Sequence, residues 1–143
     1  MGPVLQEDHL VILRRPITIE EIKSTFFQIS GNKAPGIDGF NSQFFKDAWC
    51  IIGTDVCHTI KDFFQCKRLL KVINSTLITL VPKNSNAISP GDFRPISYCT
   101  TIYKVIAKLI SIRLSEVLPH IIDSAQTGFV KGRSIIHNVL LCQ

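Results

Sequence analysis

Residues 101–118, TIYKVIAKLISIRLSEVL, constrain the fold more than any other stretch of the chain. Ile102, Val105, Ile106, Leu109, Ile110 and Leu114 recur at helical spacing and make a broad apolar face, while Lys104 and Lys108, four apart, share the other side. A helix of this kind, with Pro119 expected to end it, must bury its stripe against other elements. At 143 residues the chain is long enough for one domain with a real core and short for a multi-domain enzyme.

The partners for that face lie upstream. In residues 18–29, TIEEIKSTFFQI, Thr18 and Glu21 have capping-box spacing, and Ile19, Ile22, Phe26 and Ile29 follow at helical intervals. Ser30-Gly31-Asn32 should stop this helix, and the Pro35-Gly36 and Asp38-Gly39 pairs of NKAPGIDGF mark turns. From Ser42 the pattern is helical again, with Phe44, Phe45, Ala48, Trp49 and Ile52 on one side. Gly53-Thr54 is expected to interrupt it before Val56, Ile60, Phe63 and Phe64 resume, giving two consecutive helices whose aromatic stripe is core. At Asn74 the character changes. NSTLITLVP is β-branched and apolar, and FRPIS reads as its return strand across a connection containing the strong turn signal Ser89-Pro90-Gly91-Asp92. Residues 124–134, SAQTGFVKGRS, read as a loop, and Ser134 could cap a last helix running into Leu141. The fold class is therefore α+β, mostly helical with a small antiparallel β-hairpin.

Hydrophobic residues make up 45% of the chain and charged residues 19%, a globular composition that excludes disorder. The net charge of +5 is unevenly spread. Residues 1–60 carry five Lys/Arg against seven Asp/Glu, whereas residues 61–143 carry eleven against four, a balance that favours polyanionic partners, nucleic acid first. The N-terminus MGPVLQEDHL has acids where a secretory leader would be basic, and no apolar run approaches a membrane span. Five cysteines, Cys50, Cys57, Cys66, Cys99 and Cys142, read as free and mostly buried thiols of an intracellular, non-secreted protein. Their spacing fits no zinc pattern.

Motifs for self-contained catalysis are missing: there is no G-x-x-x-x-G-K-[ST], H-E-x-x-H or G-x-S-x-G. The seven aspartates lie singly, whereas two-metal phosphoryl transfer needs converging carboxylates. Lys83 and Arg94, each beside a proline, suit a triphosphate by pairing a mobile point charge with a bidentate guanidinium. On spacing alone, an edge strand blunted by charge is the commoner explanation. In GFVKGRS, Gly128 and Gly132 would let backbone approach a phosphate that Lys131 and Arg133 attract, or simply form a helix-entry turn. Lys104 and Lys108 are by default a solvated helix face, and Asp38 a turn or cap residue.

Individually weak, these signals gain weight from their order. NKAPGIDGF, then LVPK, then DFRPIS running into YKVIAKLISIRL, then QTGFVKGRS, resembles the first part of a reverse transcriptase domain of the non-LTR (LINE-type) retrotransposon class. Residues 30–70 are most similar in wording to plant elements. The resemblance covers residues 18–143 and leaves 1–17 as an N-terminal extension. It implies the fingers and an incomplete palm of a right-hand polymerase, with Lys83 and Arg94 near the incoming deoxynucleotide triphosphate. Gln126, Gly128, Phe129, Gly132 and Arg133 match a Q-x-G-F-x-x-G-R element placed near the template. Lys33, Pro35, Gly36, Asp38 and Gly39 match a KAPGxDG element, a structural bracket with template contact, and Lys104 and Lys108 join the nucleic-acid side.

The family's first catalytic aspartate is expected shortly after residue 143, and its Tyr/Phe-x-Asp-Asp motif well beyond. The resemblance thus implies a truncated RNA-directed DNA polymerase domain, inactive alone, with no catalytic residue, no metal ligand and no cofactor of its own. Magnesium belongs to the full-length family. The implied partners are an RNA template, a DNA/RNA hybrid and a deoxynucleotide triphosphate, with no membrane. Self-association through apolar surface left uncovered on residues 101–118 and 134–142 is a further expectation. Two alternatives stand beside this reading: a non-catalytic nucleic-acid-binding module, and a functionless retroelement remnant.

Overall fold

A computed structural model describes residues 4–122 and Gln126. The elements run α1 (Glu7–Arg14), α2 (Ile19–Gln28), α3 (Ser42–Asp47), α4 (Trp49–Cys66), β1 (Thr76–Pro82), β2 (Phe93–Cys99) and α5 (Thr101–Ile121), with a short 3-10 turn at Pro90–Asp92 between the strands. The described residues are mostly helical with one two-stranded antiparallel sheet. The loop expected over 124–134, apart from Gln126, and the helix expected from Ser134 lie outside the described residues. Two compact units emerge. One is Ile17–Lys108, and the other combines the chain up to Pro16 with the chain from Leu109 onward.

In the first unit, the Thr18 side chain accepts a hydrogen bond from the Glu21 amide at 3.1 Å, starting α2 where the cap signal placed it. Ile22 and Phe26 are fully buried, each worth roughly 1.5–3 kcal/mol of burial. Phe26 packs its ring on Phe45 and Trp49 at centroid distances of 5.7 and 5.1 Å, joining α2 to α3 and α4. Lys46 closes the end of α2 by donating to the Phe27 and Ile29 carbonyls. Val56, Cys57 and Ile60 of α4, and Val105 and Ile106 of α5, complete this core.

The break between α3 and α4 falls at Ala48, not at Gly53-Thr54 as expected. Gly53 is buried inside a continuous α4 because the Trp49 indole lies against it; a Cβ there would meet Nε1 of Trp49 at 2.8 Å. The glycine that looked like a breaker instead makes room for a ring, which offsets its helix-propensity cost of about 1 kcal/mol. The aromatic stripe is core only in part: Phe45 is buried, but Phe44 is 45% exposed and stacks on an equally exposed Phe40 at 4.5 Å. Ile19 is also 45% exposed, despite its place in the apolar pattern. The thiols are likewise not mostly buried. Cys57 is buried, Cys99 half-buried, and Cys50 and Cys66 exposed, all four free. Burial pushes the Cys57 thiol above its ordinary pKa.

The second unit contains α1, a helix that the sequence patterning did not lead us to expect. The buried Arg113 of α5 donates to the carbonyls of Leu13, Arg15 and Pro16, just where α1 ends and its last carbonyls lack helical partners. Arg15 pairs with Glu116 at 3.1 Å, and the His9 and His120 rings stack at 5.1 Å. Helix α5 runs through Pro119 to Ile121 rather than stopping before it. Proline there removes only the bond to the carbonyl of Ser115, an exposed residue that water can serve, and the Ile122 amide still reaches Leu118 at 2.9 Å. Of the apolar positions on α5, Val105, Ile106 and Leu109 are buried, whereas Ile110 and Leu114 stay 38% and 39% exposed.

Candidate nucleic-acid interface

The KAPGIDG segment is fastened to the start of α5 in three places. Gly36 lies flat on the β2–α5 junction, where a Cβ would meet the Thr100 amide nitrogen at 2.6 Å. The buried Thr101 hydroxyl donates to the Phe40 carbonyl at 3.0 Å, and the Lys104 ammonium donates to the Ala34 carbonyl at 2.7 Å. Asp38 accepts from the Phe40 amide at 3.3 Å, and Gly39, at φ +75°, completes the turn. Lys104 is thus an anchored side chain, not the freely solvated one that helix periodicity alone suggested.

This fastening sets Lys33 beside α5. Lys33, Lys104 and Lys108 line one open groove of about 620 Å³, with Ile96 and Tyr98 of β2 on its wall and no Asp or Glu among the described residues of its lining. Three cations gathered in this way make the groove a natural seat for phosphates.

The strand register extends the same surface along the hairpin. Val81 lies opposite Arg94, Thr79 opposite Ile96 and Leu77 opposite Tyr98. Because side chains alternate, Tyr98, Ile96 and Arg94 share one face of the hairpin, and Lys83, two residues beyond Val81, lies on it too. Arg94 is exposed, and its side chain makes no hydrogen bond among the described residues. The Lys83 ammonium instead turns back onto the Gly91 carbonyl at 2.6 Å, and its amide bonds the Asp92 carbonyl. Asp92 accepts from the amides of Ser89 and Ile88, which holds its carboxyl below the ordinary aspartate range.

Of the candidate residues, the structure therefore brings Lys33, Lys104 and Lys108 together and puts Arg94 and Lys83 on the hairpin face that borders them. Gln126 is exposed, whereas Gly128, Phe129, Gly132 and Arg133 lie outside the described residues. Ile96 and Tyr98 were not singled out by sequence reasoning, although their alternation with Arg94 along β2 was the available signal. Among the described residues no group of three His, Cys, Asp or Glu is placed to hold a metal ion. Asp38 and Asp92 serve backbone amides, and Asp47 accepts from Gln43. No helix among the described residues is long and apolar enough to cross a membrane.

Comparison with known proteins agrees with this arrangement of motifs. Residues 81–143 match the family model described as reverse transcriptase (RNA-dependent DNA polymerase), a span that includes Lys83, Arg94, Lys104 and Lys108. The chain thus carries part of a reverse transcriptase domain. The chain is also similar to the transposon TX1 uncharacterized 149 kDa protein of Xenopus laevis, 34% identical over 139 residues. That match takes in 97% of this chain and 11% of the relative, so the chain spans about a tenth of the relative's length.

Proposed function

We propose that this chain is the strand- and nucleotide-gripping portion of a reverse transcriptase, the fingers with the beginning of the palm, and that it does not polymerise by itself. The observation that carries the reading is the groove shared by Lys33, Lys104 and Lys108, walled by Ile96 and Tyr98. A basic groove with one aromatic and one aliphatic wall residue suits a single strand, whose phosphates meet the ammonium groups while an unstacked base lies on Tyr98. Arg94 and Lys83, farther along the same hairpin face, suit the triphosphate of a deoxynucleotide: guanidinium clamps two oxygens and the lysine adds a point charge. Lys83 would first have to leave the Gly91 carbonyl, so nucleotide binding and the state of the hairpin turn are coupled.

In-line nucleotidyl transfer draws its largest electrostatic stabilisation from metal ions held by converging carboxylates. The singly placed aspartates of this chain favour a division of labour, in which those ligands come from elsewhere in a complete domain. The test is fluorescence anisotropy with a labelled single-stranded RNA, repeated over a range of salt. Lys33→Glu and Lys108→Glu should each weaken binding, with the slope of log K against log salt falling by about 0.7 for every phosphate no longer neutralised. Equal affinity in wild type and the double variant would refute the groove as the strand site. In a separate assay, magnesium-dependent incorporation of deoxynucleotide on a primed RNA template, abolished by replacing Lys83 and Arg94 together, would refute the absence of polymerase activity.

A further inference from the structure

The β-hairpin is unusual in what it leaves open. A two-stranded sheet is marginal in water unless something packs on it, yet all seven residues of β1 are exposed, including Leu77 at 50%, Ile78 at 63% and Leu80 at 62%. Its two outer edges are not equivalent. Pro95 lies opposite Leu80, and because proline has no amide this must be a pair without ladder hydrogen bonds. The residues whose backbone groups point outward are then Thr76, Ile78 and Leu80 on β1, and Pro95, Ser97 and Cys99 on β2. On β2 the outer edge lacks a donor at Pro95 and carries the charge of Arg94 beside it, the usual protections of an edge strand. On β1 the sequence TLITLVP contains no charge at all, and its outward amides at Thr76, Ile78 and Leu80 are intact.

We propose that the outer edge of β1 pairs with β1 of a second copy of this chain, forming a four-stranded antiparallel sheet in the order β2-β1-β1-β2 with Ile78 on the twofold axis. The inference is independent of the nucleic-acid reading. Only the residues with outward backbone groups can form the new ladder, and a twofold centred on Ile78 uses all three. Ile78 faces its own counterpart, and Thr76 faces Leu80 of the other copy in both directions, a closed isologous arrangement. No like charges meet across this seam, because β1 has none to bring. The seam is carried by main-chain hydrogen bonds from the three outward residues of each copy, and it is self-complementary because both partners bring the same uncharged edge. The same pairing leaves Arg94 on the outer strand, so the strand-binding face stays open.

Sedimentation velocity on the 143-residue chain over a range of concentrations reads the association. The wild type should dimerise, and Ile78→Lys, which sets two ammonium groups face to face on the axis, should weaken the dimer at least tenfold while circular dichroism stays unchanged. Register is read separately, in a background with the exposed Cys50 and Cys66 changed to serine. There, Ile78→Cys should cross-link two chains on mild oxidation, since directly opposed Cα atoms lie about 5.5 Å apart in such a pair. Leu80→Cys should not, its counterpart being about 14 Å away. A wild type that stays monomeric, a dimer indifferent to Ile78→Lys, or cross-linking of Leu80→Cys as readily as Ile78→Cys would each overturn the proposal.

Discussion

The bracket around Gly36 and the β1–β2 hairpin meet at the β2–α5 junction and build one groove together, yet they are held by opposite means. The bracket is over-determined: a glycine with no room for a Cβ, a buried threonine hydroxyl and a lysine ammonium all tie one loop to the start of α5. The hairpin is held by its own ladder and a turn, with every β1 residue exposed. A rigid base carries the groove lysines, and a lightly held arm carries Arg94 and Lys83. The difference is one of attachment: the base is tied to α5 through Gly36, Thr101 and Lys104, whereas the arm is held by its own ladder and turn. Local opening should cost little where backbone hydrogen bonds are exposed and few apolar side chains are buried.

The comparison breaks most readily at Gly36. Gly36→Val would drive a side chain into the backbone of Cys99 and Thr100, atoms that cannot step aside as a flexible side chain could. A loss of about 3 kcal/mol or more is expected, at the upper end of overpacking costs, seen as a large drop in Tm by circular dichroism. Thr101→Val is the milder break. It keeps the volume but leaves the Phe40 carbonyl unpaired, for an expected loss of about 1–2 kcal/mol in urea denaturation with an unchanged m-value. On the arm, Leu80→Thr should change stability by no more than about 0.5 kcal/mol when measured at concentrations where the chain is monomeric. If the hairpin substitution cost as much as Thr101→Val, the contrast between base and arm would be wrong.

How far this contrast could be read from residues alone differs between the two regions. The strand pair, its turn at Ser89–Asp92 and the start of α2 were legible because each rests on local chemistry: β-branched runs, a Pro-Gly turn and a Thr cap. The grouping of Lys33 with Lys104 and Lys108 was visible only through motif resemblance, because 70 residues separate Ala34 from the lysine that fastens to it. Gly53 misled for a different reason, within a single helical turn. Its meaning depends on the Trp49 indole lying over it, and a glycine that makes room for a ring carries the same letter as one that ends a helix. Helix α1 was missed because its end is satisfied by Arg113, about 100 positions away.

The finest test of the comparison is the titration of the turn that sets the arm. Asp92 is held ionised by the amides of Ser89 and Ile88, so its pKa in the folded chain lies below that of the unfolded chain, ordinarily about 3.9. A depressed carboxyl contributes stability that is fully present above the unfolded value and is lost as pH falls through the folded one. The hairpin turn should therefore be unaffected between neutrality and about pH 4, and loosen only below it. Amide hydrogen exchange at Ile88 and Ser89 reads this directly. Their protection should fall in acid and be absent at neutral pH in Asp92→Ala, while protection of the buried helical amides around Val105 persists in both. Loosening the turn also releases the Gly91 carbonyl from its fixed place beside the Lys83 ammonium. Asp92→Ala should then alter triphosphate binding by the arm while leaving single-strand binding in the groove unchanged, which separates the two sets of cations by a substitution that replaces neither.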